Sequence, residues 1–336
     1  MRITRCALVV LAAPAILLAS AAAAAGAIPP AEGPVAALTA PIRVTATINV
    51  GKAPAGVAVD PWTNTVYVAN TVSGTVSVIS GKTKKVRATI RVGHHPFALA
   101  VNPRTNTVYV ANAASNTLSV ISGRTNKVRA TIHVGHSPGG VAVNPVTHMV
   151  YVTNANSHTV SVINARTNKV RATIPALHYL AGIAADLTTN TIYVANSFKR
   201  TVTAISGKTR KIITDIFVGT GPEGVTVNQR TNTIYVAVID TVSVIDGQTN
   251  TVLATIPLSI EEAGGGIAVN QRTDTVYVTN FGLNTMVMID GQTNAVVATV
   301  PVGKFPEAVA ANPKTDTVYV TNNGDNTVSV LTSSQG

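Results

Sequence analysis

Runs of valine, isoleucine, threonine and alanine of strand length recur along most of the chain, each bounded by clusters of Asn, Gly, Pro, Asp or Ser. Some alternate apolar and polar positions, and others are apolar throughout. Both patterns predict β-strands, half-buried in the first case and covered on both sides in the second, and no stretch keeps the i, i+3, i+4 spacing of a surface helix. One stretch shows the unit clearly. Strands are predicted at Phe97–Val101, Thr107–Ala111, Thr117–Ile121 and Val128–Val134, with Asn102-Pro103-Arg104-Thr105-Asn106 and Ser122-Gly123-Arg124-Thr125-Asn126 supplying turn chemistry between them.

The unit repeats. Tyr67, Tyr109, Tyr151, Tyr193, Tyr235, Tyr277 and Tyr319 each begin a Tyr-Val dipeptide at intervals of 42 residues. A period near 40 with four short strands per unit is that of a β-propeller blade. The expected fold is therefore all-β, a seven-bladed β-propeller of four-stranded antiparallel blades over residues 42–331. A parallel β-helix is the competing solenoid, but the two ends of the chain favour a closed ring. The last unit stops after its third strand, Thr327–Leu331, while Val44-Thr45-Ala46-Thr47-Ile48-Asn49-Val50 matches the outer-strand segment Val128–Val134. Pairing the two in the last blade closes the ring and removes an open edge.

The repeats resemble those of the YVTN family of β-propeller proteins. Tyr-Val-Thr-Asn stands at Tyr151–Asn154, Tyr277–Asn280 and Tyr319–Asn322, and Tyr-Val-Ala-Asn begins at Tyr67, Tyr109 and Tyr193. The resemblance implies the seven-bladed fold and, for function, likeness to propeller domains of archaeal surface-layer proteins and of secreted or periplasmic bacterial proteins, mostly without an established reaction. The fifth unit departs from it: Tyr235-Val236-Ala237-Val238 lacks the Asn, its next hairpin is two residues shorter, and two additional residues near Glu261-Glu262 restore the phase.

Ahead of the repeats, Met1-Arg2-Ile3-Thr4-Arg5 is followed by an apolar run from Ala7 to Leu18 and an Ala-rich stretch to Ala27. This is the order of basic, apolar and small-residue regions in a secretory signal peptide, expected over 1–27; an uncleaved membrane anchor is the alternative. Residues 28–41, with four prolines, read as a leader, and 332–336 as a tail. The only cysteine, Cys6, would leave with the signal, which suits an oxidising extracellular or periplasmic location. After cleavage no membrane-spanning segment is expected, and the ring needs no second copy to close, so the chain is expected to be a monomer.

Residues common to most units build the blade, so function is sought where the repeat is broken. On one face of the expected ring lie the connections from each outer strand to the next inner strand. Their second positions are Lys52, His94, His136, His178, Thr220, Glu262 and Lys304, and Glu223 and Glu307 follow three places on in two of them. Three histidines thus fall at equivalent places on adjacent blades. Imidazoles with Glu262 suit a divalent metal. A histidine acting as general acid or base, with Glu262 or Glu223 orienting it, would suit a propeller lyase or lactonase. The plainer alternative is a set of solvated polar tips that tune recognition of an extracellular ligand or protein, without catalysis and without a cofactor. No phosphate-binding glycine loop, His-Glu-x-x-His helix or serine nucleophile elbow is found.

The 336 residues carry a formal charge of +11 with 12% charged and 4% aromatic residues, a composition that excludes disorder and disfavours stacking platforms for bases or sugars. The charge is unevenly spread. Residues 82–211 hold 17 Lys and Arg against the single acid Asp186, whereas residues 212–336 hold 4 basic and 11 acidic residues. Three outer strands open with Lys85-Val86-Arg87, Lys127-Val128-Arg129 and Lys169-Val170-Arg171. These cations either protect exposed edges from pairing or form a surface for polyanions, nucleic acid or cell-wall polymers.

Overall fold

A computed structural model of the chain describes residues 42–175, 180–258 and 263–333. The expected signal segment, the leader, the last three residues, His178 and Glu262 lie outside them. The described residues form seven four-stranded antiparallel sheets, which are the blades of a seven-bladed propeller. From the inside outward, blade 1 consists of Pro54–Asp60, Thr65–Asn70, Thr75–Ser80 and Lys85–Arg91. The four strands expected in the second unit run Pro96–Asn102, Thr107–Asn112, Thr117–Ser122 and Lys127–His133.

Burial explains the two sequence patterns. The second strand of blade 1 is buried at all six positions, as a strand sandwiched between neighbouring blades must be, whereas the outer strand Lys85–Arg91 is exposed at most positions. The core is divided into seven apolar clusters, each shared by two adjacent blades. Tyr67, for example, packs with Val76, Val78 and Ile90 of its own blade and Leu99, Val108 and Ile121 of the next. Complete burial of such side chains contributes about 1.5–3 kcal/mol each. The tyrosine hydroxyls extend the link: Tyr193 donates to Asn250 Oδ1 (2.7 Å) in the outer hairpin of the following blade, and Tyr235 reaches the Gly291 carbonyl (3.4 Å) in the same way.

The ring closes through its ends. Ile42–Asn49 pairs antiparallel with Thr327–Ser333, from Ile42 opposite Ser333 to Asn49 opposite Thr327, and becomes the outer strand of blade 7.

Two sets of connections define two faces. The crossovers between blades share the upper face with the hairpins joining second and third strands, as in Thr71 N–H donating to the Ala53 carbonyl (2.9 Å). The remaining hairpins meet on the lower face, where Gly81 N–H donates to the Asn64 carbonyl (2.8 Å). The lower face also carries a lateral ring of side-chain bonds between blades. Asn144 donates to Asn190 Oδ1 (3.0 Å), Asn228 to Asp274 Oδ1 (2.6 Å), Asn270 to Asp316 Oδ1 (2.9 Å) and Asn312 to Asn64 Oδ1 (3.0 Å). Between blades 4 and 5 the polarity is reversed: the Asn232 amide donates to Asp186 Oδ2 (2.8 Å). Asp60 and Asn106 stand at the corresponding positions of blades 1 and 2, and Asn102 and His148 at those of blades 2 and 3. No pair sets carboxylate against carboxylate. The second member of each pair has a left-handed backbone, as at Asn190 (φ 55°), Asn232 (φ 56°) and Asp274 (φ 55°), a conformation that Asn and Asp tolerate better than most residues.

Candidate functional site

The upper-face tips rest on a frame made by the repeat. In blades 1, 2, 3 and 7 the Asn of the Tyr-Val-x-Asn motif is buried and donates to two hydroxyls of the third strand, as Asn112 does to Thr117 Oγ1 (3.0 Å) and Ser119 Oγ (2.9 Å). A crossover glycine lies on that amide. A Cβ at Gly93 or Gly135 would come within 2.8 or 2.7 Å of Asn112 or Asn154, so only glycine lets the crossover pass. The next residue's N–H is held by the neighbouring hairpin: His94 N to Ser115 Oγ (2.6 Å), His136 N to Ser157 Oγ (2.7 Å) and Lys304 N to Asp325 Oδ2 (2.7 Å). The residue after that has left-handed φ and in three crossovers is tied to the preceding blade, as Ser137 N is to Asn116 Oδ1 (2.9 Å) and Phe305 N to Asn284 Oδ1 (2.9 Å). The backbone is thus fixed from both sides, while the side chains of Lys52, His94, His136 and Lys304 stand exposed.

Blade 5 lacks this frame. Val238 replaces the Asn, Ser243 turns its hydroxyl to the Val218 carbonyl (2.9 Å), and Gly219 (φ 103°) and Gly221 (φ 65°) carry the crossover by another path. Its inner strand is only Val225–Asn228.

Glu223, which is exposed, lies two residues ahead of the inner strand of blade 5, and Glu307 is the second residue of the inner strand of blade 7, Pro306–Asn312; both stand beside a seam where inner strands touch. A Cβ at Gly182 would lie 2.4 Å from the Glu223 carbonyl, and one at Gly266 would lie 2.6 Å from that of Glu307. Gly182 N–H donates to the Glu223 carbonyl (2.7 Å), and the Glu223 carboxylate accepts from Gly265 N–H (3.1 Å) of blade 6. Glu223 is thereby engaged in joining blades 4, 5 and 6. His94 and His136 stand on successive crossovers, and among the described residues no group of three or more His, Cys, Asp or Glu is set to hold a metal ion. Two of the seven expected second positions, His178 and Glu262, fall outside the described residues. Stacked Phe281 and Phe305 (4.8 Å between centroids) add an apolar spot on the same face.

The cationic candidates lie on the other side of the molecule. Lys85, Lys127 and Lys169 open the outer strands next to the lower-face hairpins, and with Arg87, Arg129 and Arg171 all six are exposed. Each arginine sits at a β-bulge, opposite no residue of the third strand, and a bulge re-aims its side chain. Arg87 folds back to donate to Thr65 Oγ1 (3.0 Å), and Arg129 does the same to Thr107 Oγ1 (3.3 Å). The guanidinium charges hold down the Tyr67 and Tyr109 hydroxyl pKa values, but burial outweighs them and both are raised. These two arginines therefore serve the blade as well as the surface. The hairpin tips Lys82, Arg124, Arg166 and Lys208, equivalent to one another and exposed, add four cations that lie outside the Lys-Val-Arg motif.

No family model matches the chain, and no curated protein matches it. Among solved structures the chain is similar to one titled Kuenenia stuttgartiensis hydrazine synthase, with 20% sequence identity over 84% of this chain and 96% of that one, and a TM-score of 0.76. At that identity the likeness is one of fold.

Proposed function

We propose that this protein is a secreted, monomeric, non-catalytic binding or scaffold module of the cell exterior, related to the YVTN-repeat propellers. The observation that carries this reading is the construction of the upper face. In the crossovers into blades 1, 2, 3 and 7 a repeated frame of Asn, Gly and backbone bonds holds the backbone rigidly, and the side chain displayed there changes from blade to blade through Lys52, His94, His136 and Lys304. A fixed scaffold with variable display is the arrangement used where recognition is placed on loops. The basic and then apolar N-terminal pattern supports export, and the seven in-phase Tyr-Val repeats support the relationship.

The test is a glycan and peptide array probed with the full-length protein and with a variant carrying Lys52→Ala, His94→Ala, His136→Ala and Lys304→Ala. Ligands retained by the wild type and lost by the variant, at unchanged Tm, support display on this face. An array profile identical for the two proteins would refute it.

A further inference from the structure

The lower-face hairpins that lead into the outer strands fall into two groups. In blades 1 to 4 they read Ser80-Gly81-Lys82-Thr83, Ser122-Gly123-Arg124-Thr125, Asn164-Ala165-Arg166-Thr167 and Ser206-Gly207-Lys208-Thr209. In blades 5 and 6 they read Asp246-Gly247-Gln248-Thr249 and Asp290-Gly291-Gln292-Thr293. Three residues beyond each tip the division recurs: Lys85, Lys127, Lys169 and Lys211 against Thr251 and Ala295. Blade 7 has no such hairpin, because its third and outer strands come from opposite ends of the chain. Cations therefore occupy two equivalent positions on four consecutive blades and neither position on the other two hairpins.

All eight cations are exposed, and among the described residues none pairs with a carboxylate. Arg166 instead meets His148 Nε2 (2.7 Å). Protection of the outer edge does not account for the pattern. The outer strand of blade 5, Thr251–Pro257, leaves Leu253 61% exposed without any lysine or arginine in it. Beside each cationic tip stands an exposed threonine, Thr83, Thr125, Thr167 or Thr209, whose hydroxyl both donates and accepts. These hairpins contain no aromatic residue, so they offer charge and hydroxyl groups but no stacking platform for bases.

We propose that this four-blade arc binds a linear anionic polysaccharide. The inference rests on the reading of the protein as a binding module and places a ligand class on the face opposite the variable tips. Each blade offers one weak cation and hydroxyl station, and a polymer spanning several of them gains by occupying them together. Sulfate and carboxylate groups along the chain supply the negative charge, and sugar hydroxyls meet the threonines.

The probes are heparin, polygalacturonate and a thirty-residue oligothymidylate, measured by calorimetry on the full-length protein over a range of salt. Heparin and polygalacturonate should bind with an affinity that falls as salt rises. In Lys82→Gln/Arg124→Gln/Arg166→Gln/Lys208→Gln the heparin Kd should rise at least about tenfold and the salt slope flatten, since fewer counterions are released. Glutamine already fills the same position in blades 5 and 6, which protects the fold. Lys85→Thr/Lys127→Thr/Lys169→Thr/Lys211→Thr provides a second variant, which copies the residue of blade 5 and should act in the same direction. An upper-face control, Lys52→Gln/Lys304→Gln, should leave both quantities unchanged. Unaltered heparin binding in the two arc variants overturns the proposal, and tighter binding of the oligothymidylate than of either polysaccharide overturns the ligand class. Loss of binding in the upper-face control alone overturns the arc while sparing the binding-module reading.

Discussion

The lateral ring on the lower face makes a quantitative prediction. Asn228 and Asp274 are buried, 0% and 4% exposed, with the amide donating to the carboxylate at 2.6 Å. Asn228→Asp removes the donor and sets a second carboxyl in its place. Two carboxylates at that separation would repel by about 6 kcal/mol even at an effective dielectric constant of about 20. The less costly outcome is that one takes up a proton and donates it to the other. Against an unperturbed carboxyl pKa of about 3.9, holding that proton costs about 4 kcal/mol at pH 7 and about 1.5 kcal/mol at pH 5. The sign follows from linkage: the folded variant holds a proton more tightly than its unfolded chain, so its stability deficit is smallest below pH 4 and grows as pH rises. For a ring of this size the fall in Tm should be about 6 °C at pH 7 and about 2 °C at pH 5. Adding Asp274→Asn restores a donor and an acceptor in the reversed order already used by Asp186 and Asn232, and should recover most of the loss. Calorimetry of the three proteins between pH 4 and 8 checks it. A deficit independent of pH, or a double variant no better than the single one, would refute the reasoning.

Three further outcomes follow from the structure. Deleting residues 42–50 should cost about 5 kcal/mol from lost ladder bonds alone and expose the edge of blade 7, so Tm should fall and aggregation appear on size-exclusion chromatography; an unchanged Tm would contradict ring closure by this strand. Burial raises the hydroxyl pKa of all seven repeat tyrosines, with Asp186 and Asp246 adding to the rise at Tyr193, so stability should be flat with respect to these groups below pH 10 and fall above it by about 1.4 kcal/mol per pH unit for each tyrosine; absorbance at pH 10 showing ionisation of more than one of the eight tyrosines in a still folded ring would be incompatible with this. Because His94 and His136 stand exposed on successive crossovers, zinc content after equilibration should be equal in the wild type and in His136→Ala; loss of one stoichiometric zinc in the variant would instead support a metal site at the crossover histidines.

The architecture is legible because it depends on spacing. A period of 42 residues, four apolar runs per period and a matching strand at the opposite end suffice to define the blades and the clasp. The lateral ring is less visible, since its partners sit in different repeats, as with Asn144 and Asn190. Nothing in either repeat says that one hairpin faces the strand end of its neighbour until the blades are closed. The motif Asn illustrates a role that spacing alone does not reveal. It supports a glycine of the crossover and orients two hydroxyls, a task that Val238 cannot perform and that changes where Val287 replaces the serine of the third strand in blade 6. The histidine ring rests on equivalence of position. Equivalent backbone sites project side chains outward from a ring as readily as they gather them, and His178 and Glu262, which would complete this one, lie outside the described residues.

The clasp of blade 7 also gives the molecule a direction. Ile42 and Ser333 are paired neighbours, so the chain enters and leaves the ring at one spot, in the place where the other blades carry a lower-face hairpin. That side also carries the cationic hairpins, and the rigidly mounted tips of Lys52, His94, His136 and Lys304 stand on the opposite face.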